Sequence, residues 1–212
     1  MSVITISRQF GSGGSDIARI VAERLGWTLI DNEFVSQVAA RAGLTPEEVQ
    51  RAEERVPGMI ERLARALAVS APEMFAAAAD PAAATLLPED QIVRQTQAVI
   101  SEAVSQGDVV MVGRGAQAYL AERAGTLHVY VVAPREQRVA SVMKRLGLAQ
   151  KDAEKAIDET DNGRRRYVKQ NYGRQWDDAV NYDLVVNTGR FGFEEAAGLI
   201  LEAAARRFTG SI

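Results

Sequence analysis

The sequence predicts a three-layer α/β domain built on a mostly parallel sheet of about five strands. Three observations carry that reading. Short β-branched runs alternate with longer amphipathic stretches along the 212 residues, the pattern of parallel strands joined by crossover helices. One run, Val109–Val112, is apolar at every position, as a strand covered on both faces must be. The unusual glycines, three arginines and an aspartate fall where strands end, at Arg8–Gly14, Asp31, Gly113-Arg114-Gly115, Pro134-Arg135 and Asn187-Thr188. Open α/β sheets bind their ligands at that edge.

The elements follow in order. Val3–Ser7 is a β-branched strand, and a glycine-rich loop, Arg8–Gly14, leads into a helix near Ser15. That helix places Ile17, Ala18, Ile20, Val21 and Leu25 on one face. Leu25-Gly26 stops it, Thr28–Ile30 forms a second strand, and Asp31 stands at its exit. Residues 32–42 read as a helix. Thr45-Pro46-Glu47-Glu48 combines a Thr cap, a first-turn proline and a capping-box Glu at the start of the next. Pro57-Gly58 interrupts it, and Met59–Val69 resumes. Ser70–Leu87, rich in alanine and broken by prolines, reads as a short helix with loops. Glu89–Gln106 is a long helix whose stripe includes Val93, Thr96, Val99, Ile100, Ala103 and Val104. Strands follow at Val109–Val112, Thr126–Val132 and Leu184–Asn187. Helices are expected over 134–146, 151–172 and 192–207. His128, the single histidine, lies within a strand and reads as structural.

Composition narrows the function. The net charge of −3 is too small to favour nucleic acid or an anionic membrane. The absence of cysteine excludes disulfides, thiolate zinc sites and a cysteine nucleophile. The opening residues enter a strand without a signal-peptide pattern, and no apolar run reaches the roughly 20 residues of a membrane helix. A cytoplasmic location is the expectation.

The glycine loop has three readings. A plain strand-to-helix turn rarely needs glycine at three of four positions, as Gly11, Gly13 and Gly14 supply here. A dinucleotide fingerprint would put its third glycine at Asp16, and Arg8, Gln9 and Phe10 separate the strand from the first glycine. A phosphate-wrapping P-loop needs such extra residues. Aligning Arg8–Ser15 with G-x-x-x-x-G-K-[ST] matches Gly13 and Ser15 but places Arg8 at the first glycine and Gly14 at the lysine. The function survives that mismatch if backbone N–H groups from Gly11, Ser12, Gly13, Gly14 and Ser15 cradle phosphate, Ser15 meets magnesium, and Arg8 supplies the missing cation.

The segments ITISRQFGSGG (4–14), LIDNEFV (29–35), VGRGA (112–116), HVYVVAP (128–134) and NYDLVVNT (181–188), in that order and spacing, resemble the cytidylate kinase-like family. The lysine-less loop is similar to that family's usual S-R-x-x-G-S-G-G. The resemblance implies the P-loop fold of nucleoside monophosphate kinases over the whole chain as one domain, with a monophosphate-binding insert at about 32–89 and a lid at about 152–178. It implies transfer of the γ-phosphoryl of ATP to CMP or dCMP with Mg2+. Small-molecule nucleotides are then the partners, and self-association into a homo-oligomer is compatible with the sequence.

The resemblance also implies roles. Arg114 matches the arginine of a Gly-Arg-Asp motif and is assigned, with Asp31, to the acceptor; the alternative for Asp31 is a cap on the following helix. Asp161 and Arg164 match an Asp-x-x-Arg pattern in the lid. They are the candidate catalytic residues together with Arg8, with Arg165 as a spare for Arg164. Guanidinium suits the work because phosphoryl transfer depends on positioning and charge neutralisation. Three positions depart from the pattern. Gly115 replaces the motif's aspartate, a phosphate-binding arginine falls on Gln37, and a lid arginine falls on Ile157. Two alternatives remain beside the CMP kinase: a nucleotide-binding protein without turnover, and a kinase for another small acceptor.

Overall fold

The computed structural model describes residues 1–31 and 89–208. The helices expected between residues 32 and 88 lie outside the described residues. The described elements are β1 (Val3–Arg8), α1 (Gly14–Leu25), β2 (Thr28–Ile30), α2 (Glu89–Gln106), β3 (Val109–Val112), α3 (Ala116–Tyr119), β4 (Thr126–Val132), α4 (Arg135–Leu146), α5 (Gln150–Tyr172), β5 (Leu184–Asn187) and α6 (Thr188–Arg207). A 3-10 turn at Ala179–Asn181 precedes β5. Residues 1–31 and 107–212 group as one compact unit. Helix α2, described by itself, buries Thr96, Val99, Ile100, Ala103 and Val104 along one stripe, the spacing of an amphipathic helix.

The five strands are all parallel, in the order β2-β3-β1-β4-β5. Successive residues within a strand direct their side chains to opposite faces. On one face Ile4, Ile6, Val110, Val112, Leu127, Val129 and Val131 pack with Ile17, Ala18 and Val21 of α1 and with Ala196, Ala197 and Ile200 of α6. Each such side chain contributes about 1.5–3 kcal/mol when fully buried. The other face is more polar. It carries Thr5, Ser7, His128 and Tyr130, all buried, and Tyr130 packs with Ala118, Val168 and Trp176.

Strand order matters for function because β1 lies between β3 and β4. The loop leaving β1 is therefore flanked by the ends of both. One boundary differs from the sequence expectation. Helix α6 begins at Thr188, four residues before Gly192, because the Asn187 side chain accepts the Gly189 N–H at 3.0 Å and caps a first turn. Gly192, with φ 70° and ψ 179°, then bends the chain before the helix continues.

Candidate functional site

The glycine loop is built from its own hydrogen bonds and from ties to the next strands. Gln9 N–H donates to the Val131 carbonyl at 3.0 Å, and Gln9 Oε1 accepts Ala133 N–H at 3.1 Å. The Ser12 hydroxyl is buried and donates to the carbonyls of Gln9 (2.8 Å) and Val131 (3.2 Å). It shapes the loop, as does the Ser12 N–H, which donates to the Gln9 carbonyl at 3.2 Å, so Ser12, expected as a phosphate donor, is spent on holding the loop instead. The Thr188 hydroxyl closes the other side by donating to the Ser12 carbonyl at 2.9 Å. Gly13 caps α1 with φ 81°, a left-handed conformation that glycine adopts without cost. The Phe193 ring lies so close that a Cβ on Gly13 would come within 2.3 Å of it. The first-turn amides of α1 have no helical carbonyl before them, and with the helix dipole they favour negative charge at this end of the sheet.

At the lysine position, space is already taken. A Cβ on Gly14 would stand 2.4 Å from Arg8 Cβ and 2.8 Å from Arg8 Cγ. The Arg8 side chain therefore runs across Gly14, and its guanidinium reaches the end of β3, where a Cβ on Gly113 would lie 2.1 Å from Arg8 Nη1. Gly14 and Arg8 are thus a coupled pair: a loop that sends an arginine over the helix start has no room for a side chain beneath it.

Beyond β3, Gly113, Arg114 and Gly115 take φ of 75°, 57° and 66°. Arg114 is the only non-glycine residue in this region among the described residues, a conformation costing an L-residue roughly 1–2 kcal/mol. Such strain is retained where the surroundings over-determine it. Burial pushes the Arg114 guanidinium down from its ordinary value to about 9; Tyr167 and Asp31 oppose the shift, and Arg8 adds to it. Half-buried Arg8 and the desolvated Arg114 guanidinium thus meet in one corner of the sheet edge, with the buried carboxylate of Asp31 near Arg114. The rings of Tyr172 and Tyr167 close that corner, 2.7 and 3.1 Å from where a Cβ on Gly115 would stand.

The Asp-x-x-Arg pair sits on α5 and faces the loop. Asp161 is buried; its Oδ1 accepts Phe10 N–H at 2.9 Å and Arg164 Nη1 at 3.3 Å, and its Oδ2 accepts Arg138 Nη1 at 2.8 Å. Arg164 Nη1 also donates to the Arg8 carbonyl at 2.8 Å. The Arg138–Asp161 pair is almost fully desolvated, with 8% and 5% of its side chains exposed. Removing either partner alone leaves a buried charge, at a cost of about 3–5 kcal/mol. Arg165 is not brought to the loop. It pairs with Asp177 at 2.7 Å, donates to Asn162 Oδ1 and lies over Trp176. Trp176 itself is buried edge-on against Tyr130.

The structure therefore gathers Gly11–Ser15, Arg8, Asp161 and Arg164 around the loop, sets Arg114 near both Arg8 and Asp31, and turns Arg165 away. Sequence reasoning missed Gln9, Phe10, Thr188 and Phe193 as loop partners and Arg138 as the partner of Asp161. The usable signal lay in position for three of them: Gln9, Phe10 and Thr188 fall within two residues of a strand's carboxyl end, whereas Arg138 and Phe193 lie six residues beyond one. No cluster of three or more acidic, histidine or cysteine side chains suited to a metal occurs among the described residues. A magnesium ion that keeps most of its waters and bridges phosphates needs only one or two protein ligands, and Ser15, in the first turn of α1, fits that role.

The sequence profile of the cytidylate kinase-like family matches residues 3–190. The cytidylate kinases of Archaeoglobus fulgidus and Methanopyrus kandleri are 32% and 28% identical over 205 and 211 residues. Those alignments cover 94% and 95% of this chain and 93% and 92% of the relatives. A uronate isomerase of Corynebacterium glutamicum is 37% identical over 129 residues, which is 60% of this chain but 24% of that protein. Among solved structures, an uncharacterized protein from Eubacterium ventriosum superimposes with a TM-score of 0.69 at 19% identity, covering 98% of this chain and 100% of that one. Shikimate kinase from Acinetobacter baumannii gives 0.51 at 14%, covering 98% and 95%. These likenesses carry the fold alone. No helix among the described residues is long and apolar enough to cross a membrane.

Proposed function

The chain belongs to the cytidylate kinase-like family, and from that premise we propose that it transfers the γ-phosphoryl of ATP to a nucleoside monophosphate, with CMP and dCMP the first acceptors to try. The observation that supports this reading is the path of Arg8, whose aliphatic stem crosses Gly14 and whose guanidinium lies beside Gly113 at the end of β3, so a cation stands near a loop that lacks its lysine. In the reaction an oxygen of the acceptor phosphate attacks the γ-phosphorus. The bond from that phosphorus to the β–γ bridging oxygen breaks, and ADP leaves. The loop amides hold the donor's phosphates, Arg8 and Arg164 neutralise charge on the moving group, and Arg114 grips the acceptor's phosphate. Magnesium, held by Ser15 and the phosphates, would supply further charge neutralisation. Nothing in this scheme needs a covalent intermediate, so positioning is the main task of these side chains.

An ADP-release assay across CMP, dCMP, UMP, AMP and a panel of sugars tests the proposal. Turnover on a nucleoside monophosphate is expected; ATP binding with no turnover on any acceptor would sink it in favour of a nucleotide-binding role. A different small acceptor is favoured by one observation. Tyr167 and Tyr172 fill the space at Gly115, where a Gly-Arg-Asp motif would carry a carboxylate. Turnover on a sugar alone would decide for that reading. Replacing Arg8 with Ala should lower kcat/KM for ATP by roughly 100-fold, the scale of a lost charge-assisted contact of up to about 3 kcal/mol. Unchanged ATP kinetics would remove Arg8 from the mechanism.

A further inference from the structure

Phe10 belongs to the phosphate loop, yet its side chain belongs to the helix pair α4–α5. Its ring is buried against Val139, Val142, Ala153 and Ile157. The guanidiniums of Arg145 and Arg164 lie over it, 5.2 and 5.9 Å from its centroid. Its peptide groups are held from the same side: the N–H by Asp161 at 2.9 Å, the carbonyl by Arg138 Nη1 at 3.3 Å. Asp161 joins these contacts, because one carboxylate accepts the loop amide, neutralises Arg138 and orients Arg164. Ile157, where the resemblance leads one to look for another arginine, is instead a core residue beneath Phe10.

We propose that Asp161 is a positioning residue, and that the phosphate loop and the α4–α5 pair form one preassembled unit before nucleotide binds, with Phe10 as its pin. The physical reason lies in where the cation comes from. A lysine in the loop is carried by the loop. Arg164 is carried by α5, 156 residues from Arg8 in sequence, so it helps only if α5 is fixed to the loop. Swinging the pair away would expose the Phe10 ring and separate Asp161 from the Phe10 amide. The ring's burial and the charge-assisted hydrogen bonds oppose that opening. Preassembly removes the ordering cost that a mobile arm would meet at each turnover. The effect on turnover rests on the phosphotransferase reading; the preassembly does not.

The experiment measures backbone amide exchange at Phe10 in the full chain, without nucleotide and with MgATP, together with steady-state kinetics well below each variant's Tm. In the nucleotide-free protein the Phe10 amide should be protected, with little change on adding MgATP. In Asp161→Asn it should exchange at least about tenfold faster. There kcat should fall about 100-fold, as for a displacement of reacting groups by roughly 1 Å, while the acceptor KM stays within about twofold. Fast Phe10 exchange that slows only with MgATP would show the unit assembling on binding and overturn preassembly. A lowered Tm with unchanged kcat would make Asp161 structural and overturn its positioning role. Should Asp161→Asn not fold, Phe10→Leu keeps an apolar pin but removes the ring beneath Arg145 and Arg164. A kcat loss of about tenfold supports the proposal, and an unchanged kcat overturns it. If the wild-type chain turns over no acceptor, the phosphotransferase reading fails. The Phe10 exchange and the MgATP affinity of Asp161→Asn, expected to be about tenfold weaker, still decide the inference.

Discussion

The two ends of the candidate site are made differently. The donor side, the loop after β1, is held by backbone and short polar side chains: Gln9, Ser12 and Thr188 tie it to β4 and to the start of α6, and Asp161 ties it to α5. The acceptor side, after β3, is a tight turn whose distinctive feature is charge. Arg114 sits there in a left-handed conformation, desolvated and beside a second arginine. The contrast separates two ways of recognising phosphate. A peptide cradle depends on shape and tolerates many side-chain changes. A buried guanidinium depends on one group and fails when that group is lost.

The contrast is tested hardest at Arg114. Replacing it with Met keeps the side chain's bulk and removes its charge. Acceptor KM should rise by roughly 100-fold, about 3 kcal/mol, while ATP affinity from calorimetry stays unchanged. An equal loss in ATP affinity would mean that the two sides are not separate sites. The same residue sets a pH signature. Because burial lowers Arg114 to about 9, its charge is complete at neutral pH and declines as pH rises through that value. Acceptor KM should therefore climb on the alkaline side in the wild-type protein but stay level in Arg114→Met.

A smaller effect is expected on the donor side, and it is reciprocal. Gly14→Lys restores the loop's pattern residue but drives a side chain into Arg8, whose Cβ and Cγ occupy that space. Overpacking of this kind costs about 1–3 kcal/mol, and kcat/KM for ATP should drop about tenfold. Adding Arg8→Gly relieves the collision and leaves a lysine in its P-loop position, so the double variant should recover most of the loss. A double variant as poor as the single one would show that Arg8 contributes more than space and charge at Gly14, for instance through Gly113 and Arg114.

These residues also mark how far the sequence could be read. The strands were legible as β-branched runs, three of them closed by Asp31, Gly113 and Ala133-Pro134, and Arg114 was legible as a cation at such an end. The loop's partners were not. Ser12 reads as a backbone donor to phosphate, yet its N–H bonds the Gln9 carbonyl and its hydroxyl points inward to a carbonyl 119 residues away. Phe10 reads as loop, but its ring fills a hole between helices that sequence periodicity describes only one at a time. Arg164 and Arg165 are adjacent in sequence, and the helix turns one toward Arg8 and the other toward Asp177. Strand order, which sets β3 and β4 beside β1, carries no local signal at all.

The least disruptive test concerns what lies beneath the donor side. Thr5 and His128 face each other across β1 and β4, the strands flanking the loop, with the Thr5 hydroxyl 2.7 Å from His128 Nδ1. Burial pushes His128 below its ordinary 6.5, and its ring also bonds the Leu120 carbonyl. A ring that donates to Leu120 leaves Nδ1 to accept from Thr5, so the fold holds the neutral form. Asp183 favours a charge here, while Arg174 and Arg207 oppose it. With the folded value lowered, the unfolded chain binds the proton more readily. This contribution to stability is complete above pH 6.5 and is lost as pH falls below it through the lowered value. Chemical denaturation followed from pH 7.5 to 5 should show the decline, and His128→Gln, which titrates nowhere in that range, should flatten it. If the slope is unchanged in His128→Gln, another group governs the acid limb. If the slope flattens while Phe10 amide protection in the wild-type protein weakens at the acid end, the sheet beneath the loop and the latch above it act on the same donor-side structure.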